Sequence, residues 1–263
     1  MQKVEASFLC RLLISLCALC WLLIAPAAAL ALAESDAPAK DVPPPRATNS
    51  TSVASHEEAC ADTEPKALCL TGYVSMRIAE IPREQRYLWL YWQRVLDEHK
   101  PEDVFGVKQC ILPSHHLTQW KNLSALMPSL APDKKLRYIN GFFNNFQSKK
   151  DMDCYGSEDY WATPEEFMRQ RGGDCEDYAI IKYLALSYFG WSTNDMWLLI
   201  VKNRKNSERH AVLAVYQGQH TFILDNLTRP AYMLVPEKTF LTGFVPLFAI
   251  NEHGFWFFAG TGE

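Results

Sequence analysis

The periodicity of apolar residues changes once along the chain. Up to about residue 189 apolar side chains recur at helical spacing, and from Met196 onward they come in short runs separated by turn residues. Helices first and antiparallel strands afterwards is the order of an α+β domain, not of a parallel α/β sheet. The helical patterns cover residues 77–99, through Ile78, Leu88, Trp92 and Val95, and residues 132–147, through Leu136, Ile139 and Phe143. Residues 101–130 read as irregular, punctuated by Pro113 and Pro128. Thr163-Pro164-Glu165-Glu166 is a helix start, with Thr as N-cap, Pro in the first turn and Glu at the third position. Another helix begins near Asp174 and ends at Gly190. Strands follow at Met196–Lys202, Ala211–Tyr216, Thr221–Asp225, Val245–Ile250 and Phe255–Phe258.

Before these patterns lies a segment of different character. Lys3 and Arg11 precede an apolar run from Leu12 to Ala25, and Ala31 and Ala33 fit an A-x-A cleavage site. Residues 1–33 read as an export signal; a membrane anchor is the alternative, because Leu12 to Ala33 is just long enough to span a bilayer. Residues 34–65, rich in Ala, Pro, Ser and Thr, read as a flexible tether, and residues 66–263 as the folded domain. Export implies an oxidising compartment, where thiols pair. Five cysteines follow the signal: Cys60, Cys69, Cys110, Cys154 and Cys175. Cys60 with Cys69, and Cys110 with Cys154, are available pairs that leave Cys175 over, although sequence cannot fix the connectivity. The formal net charge of -4 gives no footing for nucleic acid.

The segment richest in chemistry is Arg171-Gly172-Gly173-Asp174-Cys175-Glu176-Asp177-Tyr178-Ala179. It sets a cysteine in the first turn of a helix, where unpaired backbone N–H groups and the positive dipole end favour a thiolate. The two glycines allow a tight turn and close approach of a substrate backbone. A buried structural cysteine is the competing reading. A base is available at His210, which opens a strand 35 residues on, and Asp225 lies on the next strand. If Gln217 pairs with His220 across the hairpin, Asp225 becomes a same-face diagonal neighbour of His210, about 7–8 Å away at the backbone. A slip of one residue would turn Asp225 to the other face. In this reading Cys175 is the nucleophile, His210 the general base and acid, and Asp225 the group that orients the imidazole. The backbone N–H of Cys175 is a natural oxyanion donor.

Asp174, Glu176 and Asp177 stand against a thiolate, since neighbouring carboxylates raise a thiol pKa. Helix capping accounts for such acids on its own. The sharper reading is that a hard cation neutralises them, and oxygen-only ligands suit Ca²⁺.

The sequence resembles the bacterial transglutaminase-like cysteine proteinases, and within them the periplasmic LapG-type adhesin proteases. The resemblance rests on Trp161, Pro164 and Phe167, on Gly173 through Ala179, on His210-Ala211-Val212-Leu213, and on Leu224-Asp225-Asn226. It implies a papain-like/transglutaminase-like core, a Cys-His-Asp triad at Cys175, His210 and Asp225, and Ca²⁺ dependence through Asp174, Glu176 and Asp177. It further implies cleavage of a large surface adhesin near its N-terminus at a di-alanine site, which releases cells from biofilm, and restraint by an inner-membrane cyclic di-GMP receptor. A different Cys-His-Asp amidase, a protein-crosslinking transferase and a non-catalytic periplasmic binding module are the alternative classes.

Overall fold

One helix organises the molecule. The computed structural model describes residues 66–106 and 114–261. The expected signal (1–33) and tether (34–65), with Cys60 and Cys110, lie outside the described residues. Helix Cys175–Tyr188 is buried on almost every side from Asp177 to Leu186. A helix that is apolar all round belongs in a core rather than on a surface. It packs against strands Met196–Asn203 and Arg209–Gln217 on one side and against helices Pro132–Phe143 and Pro164–Gln170 on the other.

In chain order the described elements are β1 (Tyr73–Arg77), α1 (Arg86–Glu98), α2 (Pro101–Val104), α3 (Ser114–Leu126), α4 (Pro132–Phe143), β2 (Gln147–Ser148), α5 (Asp151–Tyr155), α6 (Pro164–Gln170), β3 (Gly172–Gly173) and α7 (Cys175–Tyr188). They continue with β4 (Met196–Asn203), β5 (Arg209–Gln217), β6 (His220–Leu224), β7 (Val235–Pro236), α8 (Glu237–Phe240), β8 (Phe244–Asn251) and β9 (Gly254–Gly260). Seven strands form one antiparallel sheet in the order β1-β9-β8-β4-β5-β6-β7. The chain is α+β, as the change of periodicity predicts.

The unbroken apolar run of β4 has a direct cause. Met196, Leu198 and Ile200 join the core on the helical side of the sheet. Trp197, Leu199 and Val201 point the other way, into a second core with Leu68, Leu70, Phe240 and Leu241. A strand covered on both faces has no reason to alternate.

Four expectations need correction. The first helix begins at Arg86, not residue 77. Pro82 interrupts the chain there, and Tyr73–Arg77 instead pairs with β9, the sheet continuing through the Ile78 N–H on the Phe255 carbonyl. The stretch read as irregular holds α3, whose Trp120, Leu123 and following Met127 are buried at helical spacing. Helix α4 stops at Phe143, because residues 147 and 148 pair in parallel with Gly172 and Gly173. Asp225 lies one residue beyond the end of β6 rather than inside it, where the chain turns away toward helix α4.

Candidate active site

Cys175 is the first residue of α7, directly after the paired glycines. Both glycines have local causes. Gly172 has φ +146, and a Cβ there would sit 1.9 Å from the Gln147 carbonyl oxygen of the adjoining strand. A Cβ on Gly173 would lie 2.2 Å from Oδ2 of Asp177. The pair therefore lets the chain squeeze between β2 and the Asp177 carboxylate as it enters the helix.

Asp177 closes that entry. Its Oδ1 accepts from the Ala162 N–H at 2.7 Å and its Oδ2 from the Asp174 N–H at 3.3 Å. Ala162 leads into α6, whose start carries a complete capping box: the Glu166 N–H donates to the Thr163 hydroxyl, and the Thr163 N–H to the Glu166 carboxylate. Such a cap contributes about 1 kcal/mol. The preceding Trp161 carbonyl accepts from Arg94, and Phe167 packs on Tyr178. The resemblance residues around 161–167 thus hold the loop that abuts the nucleophile's helix.

The hairpin carries the other two side chains. Gln217 pairs with His220, the register that the same-face argument needed. His210 Nε2 lies 2.8 Å from Asp225 Oδ1, and both residues are buried. The Asp225 carboxylate has further donors: the Leu227 N–H at 3.0 Å on Oδ1 and the Thr228 hydroxyl at 2.9 Å on Oδ2. Burial works against its ionisation, yet the hydrogen bond and charge of His210, with the Leu227 and Thr228 donors, hold the carboxyl below its usual range. Cys175 meets this hairpin through its sulfur, which accepts from the Ala211 N–H at 3.4 Å. The structure brings Cys175, His210 and Asp225 to one place, from a helix start, a strand and the turn after the next strand.

The acids flanking Cys175 act directly on its thiol. The Cys175 thiol donates to Glu176 Oε2 at 3.1 Å. Burial, then the Glu176 charge and that hydrogen bond, then Asp174, push the thiol well above its ordinary pKa, and the Ala211 N–H only partly opposes them. Burial and the Glu176 charge push Asp174 up to about 9. Burial raises Glu176 to about 7. Asp177 is raised well above the usual carboxylate range by burial and by Asp174.

Two acids that sequence reasoning missed join them. Oxygens of Asp151, Asp174 and Asp177 lie within 4.8 Å of one another, and so do those of Asp151, Asp159 and Glu176. Asp151 and Asp159 are themselves raised, burial being the main cause in each. Among the described residues no lysine or arginine forms an ion pair with any of the five. Oδ1 of Asp151, of Asp159 and of Asp174 is buried with no hydrogen-bond partner. A signal was present in the sequence: Asp151, Asp153, Glu158 and Asp159 fall within nine residues, just before Trp161.

The cysteines depart from expectation at one point. Cys69 is disulfide-bonded, whereas Cys154 and Cys175 are both free. The Cys110–Cys154 pair is therefore not made. Cys154 sits on α5 with its thiol in the field of Lys149 and of the Asp177 and Asp151 carboxylates, on the side of the acid cluster.

The family model of the bacterial transglutaminase-like cysteine proteinases matches residues 119–239, a span that contains Cys175, His210, Asp225 and all five acids. Those residues are a bacterial transglutaminase-like cysteine proteinase domain. This match supports cysteine peptidase as the enzyme class. The chain is also similar to solved structures of LapG from Legionella pneumophila. Calcium-bound LapG is 26% identical with a TM-score of 0.49, over 59% of this chain and 87% of that one. LapG is 27% identical and EGTA-treated LapG 26%, each with a TM-score of 0.49 over 60% of this chain and 90% of that one. No curated protein matches the sequence.

Proposed function

We propose that this proteinase is a periplasmic, calcium-dependent endopeptidase with Cys175, His210 and Asp225 as its catalytic triad. Its substrate in this reading is a large surface adhesin, cut near the N-terminus at a di-alanine site, which frees cells from biofilm. The observation that carries the triad is the His210 Nε2–Asp225 Oδ1 contact of 2.8 Å beside a helix-start cysteine held by the Ala211 N–H.

The chemistry follows from that arrangement. Asp225 is ionised and accepts from Nε2, so Nδ1 is the nitrogen left to exchange a proton with the thiol. Cys175 transfers its proton to His210 and attacks the scissile carbonyl carbon. Collapse of the tetrahedral adduct breaks the C–N bond, and His210 returns the proton to the leaving amine. Water, deprotonated by His210, then attacks the thioester, releases the carboxylate product and restores the thiol. The Cys175 N–H, free at the first turn of α7, is the oxyanion donor this chain offers.

The acid cluster fits a calcium ion. Its donors are all oxygen, and three of them are buried without a hydrogen-bond partner. Asp174, Glu176 and Asp177 would hold the ion together with Asp151 and Asp159. Bound there, calcium supplies positive charge that relieves the carboxylate repulsion on the thiol.

The export signal read in residues 1–33 supports the periplasmic location, and the motif resemblance supports the adhesin and the inner-membrane cyclic di-GMP receptor that sequesters the enzyme. The test is a purified polypeptide spanning a di-alanine site, incubated with the chain and Ca²⁺. One cut at the di-alanine is expected, lost when both alanines are replaced by bulky residues. Cleavage indifferent to that replacement would remove the specificity from this account.

A further inference from the structure

Helix α7 carries a lysine where its packing calls for an apolar residue. Lys182 follows Cys175 by two turns of the helix, is 0% exposed and is flanked by buried Ile181 and Tyr183. No other lysine or arginine among the described residues is buried. A buried ammonium is retained only where something nearby offsets its desolvation. Its Nζ donates to the Leu224 carbonyl at 3.5 Å and lies 5.7 Å from the centre of the Tyr178 ring. Leu224 is the last residue of β6, directly before Asp225. The charged or titratable groups facing Lys182 are Tyr178 from its own helix and Asp225 from the end of β6. Burial pushes the ammonium down to about 7, and Asp225 is the group that raises it.

The Asp225 backbone is gripped from the other side too. Asn144, at the end of α4, donates through Nδ2 to the Asp225 carbonyl at 2.8 Å and to the Ala231 carbonyl at 2.8 Å. The turn that presents the carboxylate to His210 is thus tied by Lys182 through residue 224 and by Asn144 through residue 225.

We propose that Lys182 is a positioning residue: by holding the Leu224 carbonyl and setting its charge behind Asp225, it keeps that carboxylate ionised and aimed at His210. The inference rests on the triad proposed above.

The test uses the full chain with Ca²⁺, unmodified and as Lys182→Met and Lys182→Arg, in a cleavage assay, with an NMR titration of the Lys182 side chain in the unmodified protein and in Asp225→Asn. Lys182→Met is expected to lower kcat about tenfold or more with KM within about twofold. Lys182→Arg should recover part of kcat, because it keeps the charge. Where neither variant folds, the Lys182 side-chain resonance decides, since Asp225→Asn should lower its midpoint by removing the countercharge. A kcat within about twofold in a folded Lys182→Met, or a Lys182 midpoint indifferent to Asp225→Asn, would overturn the proposal. The titrations need no turnover, and Cys175→Ala in the same assay judges the triad separately.

Discussion

Replacing Cys175 by Ala will reduce peptide-bond cleavage by at least about 10⁴-fold while leaving the fold intact. The sulfur forms the covalent bond to substrate, and no other described side chain stands in its place at the start of α7. The change removes one sulfur from a half-buried position, where it packs at the edge of the core and has hydrogen bonds only with Ala211 and Glu176. Beside these acids the thiol is neutral, so its loss removes no buried charge and the melting temperature should stay within a few degrees. His210→Ala will be as severe, and the double variant hardly worse than either, because residues that act in one mechanism are not additive. Asp225→Asn should cost about 10²-fold or more, since an amide at that position favours the wrong imidazole tautomer. Steady-state kinetics on a di-alanine polypeptide, with thermal melts of each variant, read all of these. Near-normal cleavage by Cys175→Ala would remove Cys175 from the mechanism.

Stripping the protein with a calcium-selective chelator will stop cleavage, and Ca²⁺ but not Mg²⁺ will restore it. Two groups of three carboxyls that share Asp151 lie at the entry to α7, and in the metal-free protein protons relieve much of their mutual repulsion. Mg²⁺ demands tighter octahedral geometry and keeps its waters, so it suits this irregular cluster poorly. The raised pKa values fix the sign of the pH dependence. Glu176 at about 7 and Asp174 at about 9 hold protons near neutral pH, so calcium binding must release them. Apparent calcium affinity therefore weakens as pH falls below about 9 and more steeply below about 7, and calorimetry in buffers of different ionisation enthalpy will show the released protons. In the folded metal-free state these groups titrate above their unfolded values. Their contribution to stability is full in acid and is lost as pH rises through about 7 and then about 9. Calcium should restore the melting temperature most at the alkaline end. Asp151→Asn should weaken calcium binding by about tenfold or more, because it removes the carboxylate common to both oxygen clusters. Full activity in the stripped enzyme, without calorimetric binding, would leave helix capping as the explanation of these acids.

What the sequence made legible was local or set by hairpin register. The capping box at Thr163 and the cysteine at a helix start are read from a few adjacent residues. The His210–Asp225 contact follows from counting back along a two-residue turn, because strand periodicity carries the register without further information. What escaped depends on contacts across long stretches of chain. Asp151 reaches Asp174 because Gln147 and Ser148 pair with Gly172 and Gly173, a two-residue parallel contact with no periodic signature. Strand β1 escaped because it is half exposed and exists by virtue of β9, near the other end of the chain. Cys154 was paired on paper by parity alone, and parity says nothing about where a helix aims a thiol. Lys182 was passed over as one lysine in a helix, since burial is a property of the packed helix rather than of its local pattern.

The central claim is that Cys175 is a nucleophile whose thiolate depends on a cation among its neighbouring acids. The most direct measurement is the rate of alkylation by iodoacetamide at neutral pH, mapped by mass spectrometry to each cysteine, with and without Ca²⁺. The account predicts that Cys175 is modified faster than Cys154 when calcium is present, and that chelation slows Cys175 while leaving Cys154 little changed. Modification of Cys154 with Cys175 left untouched in the calcium-loaded protein would contradict it.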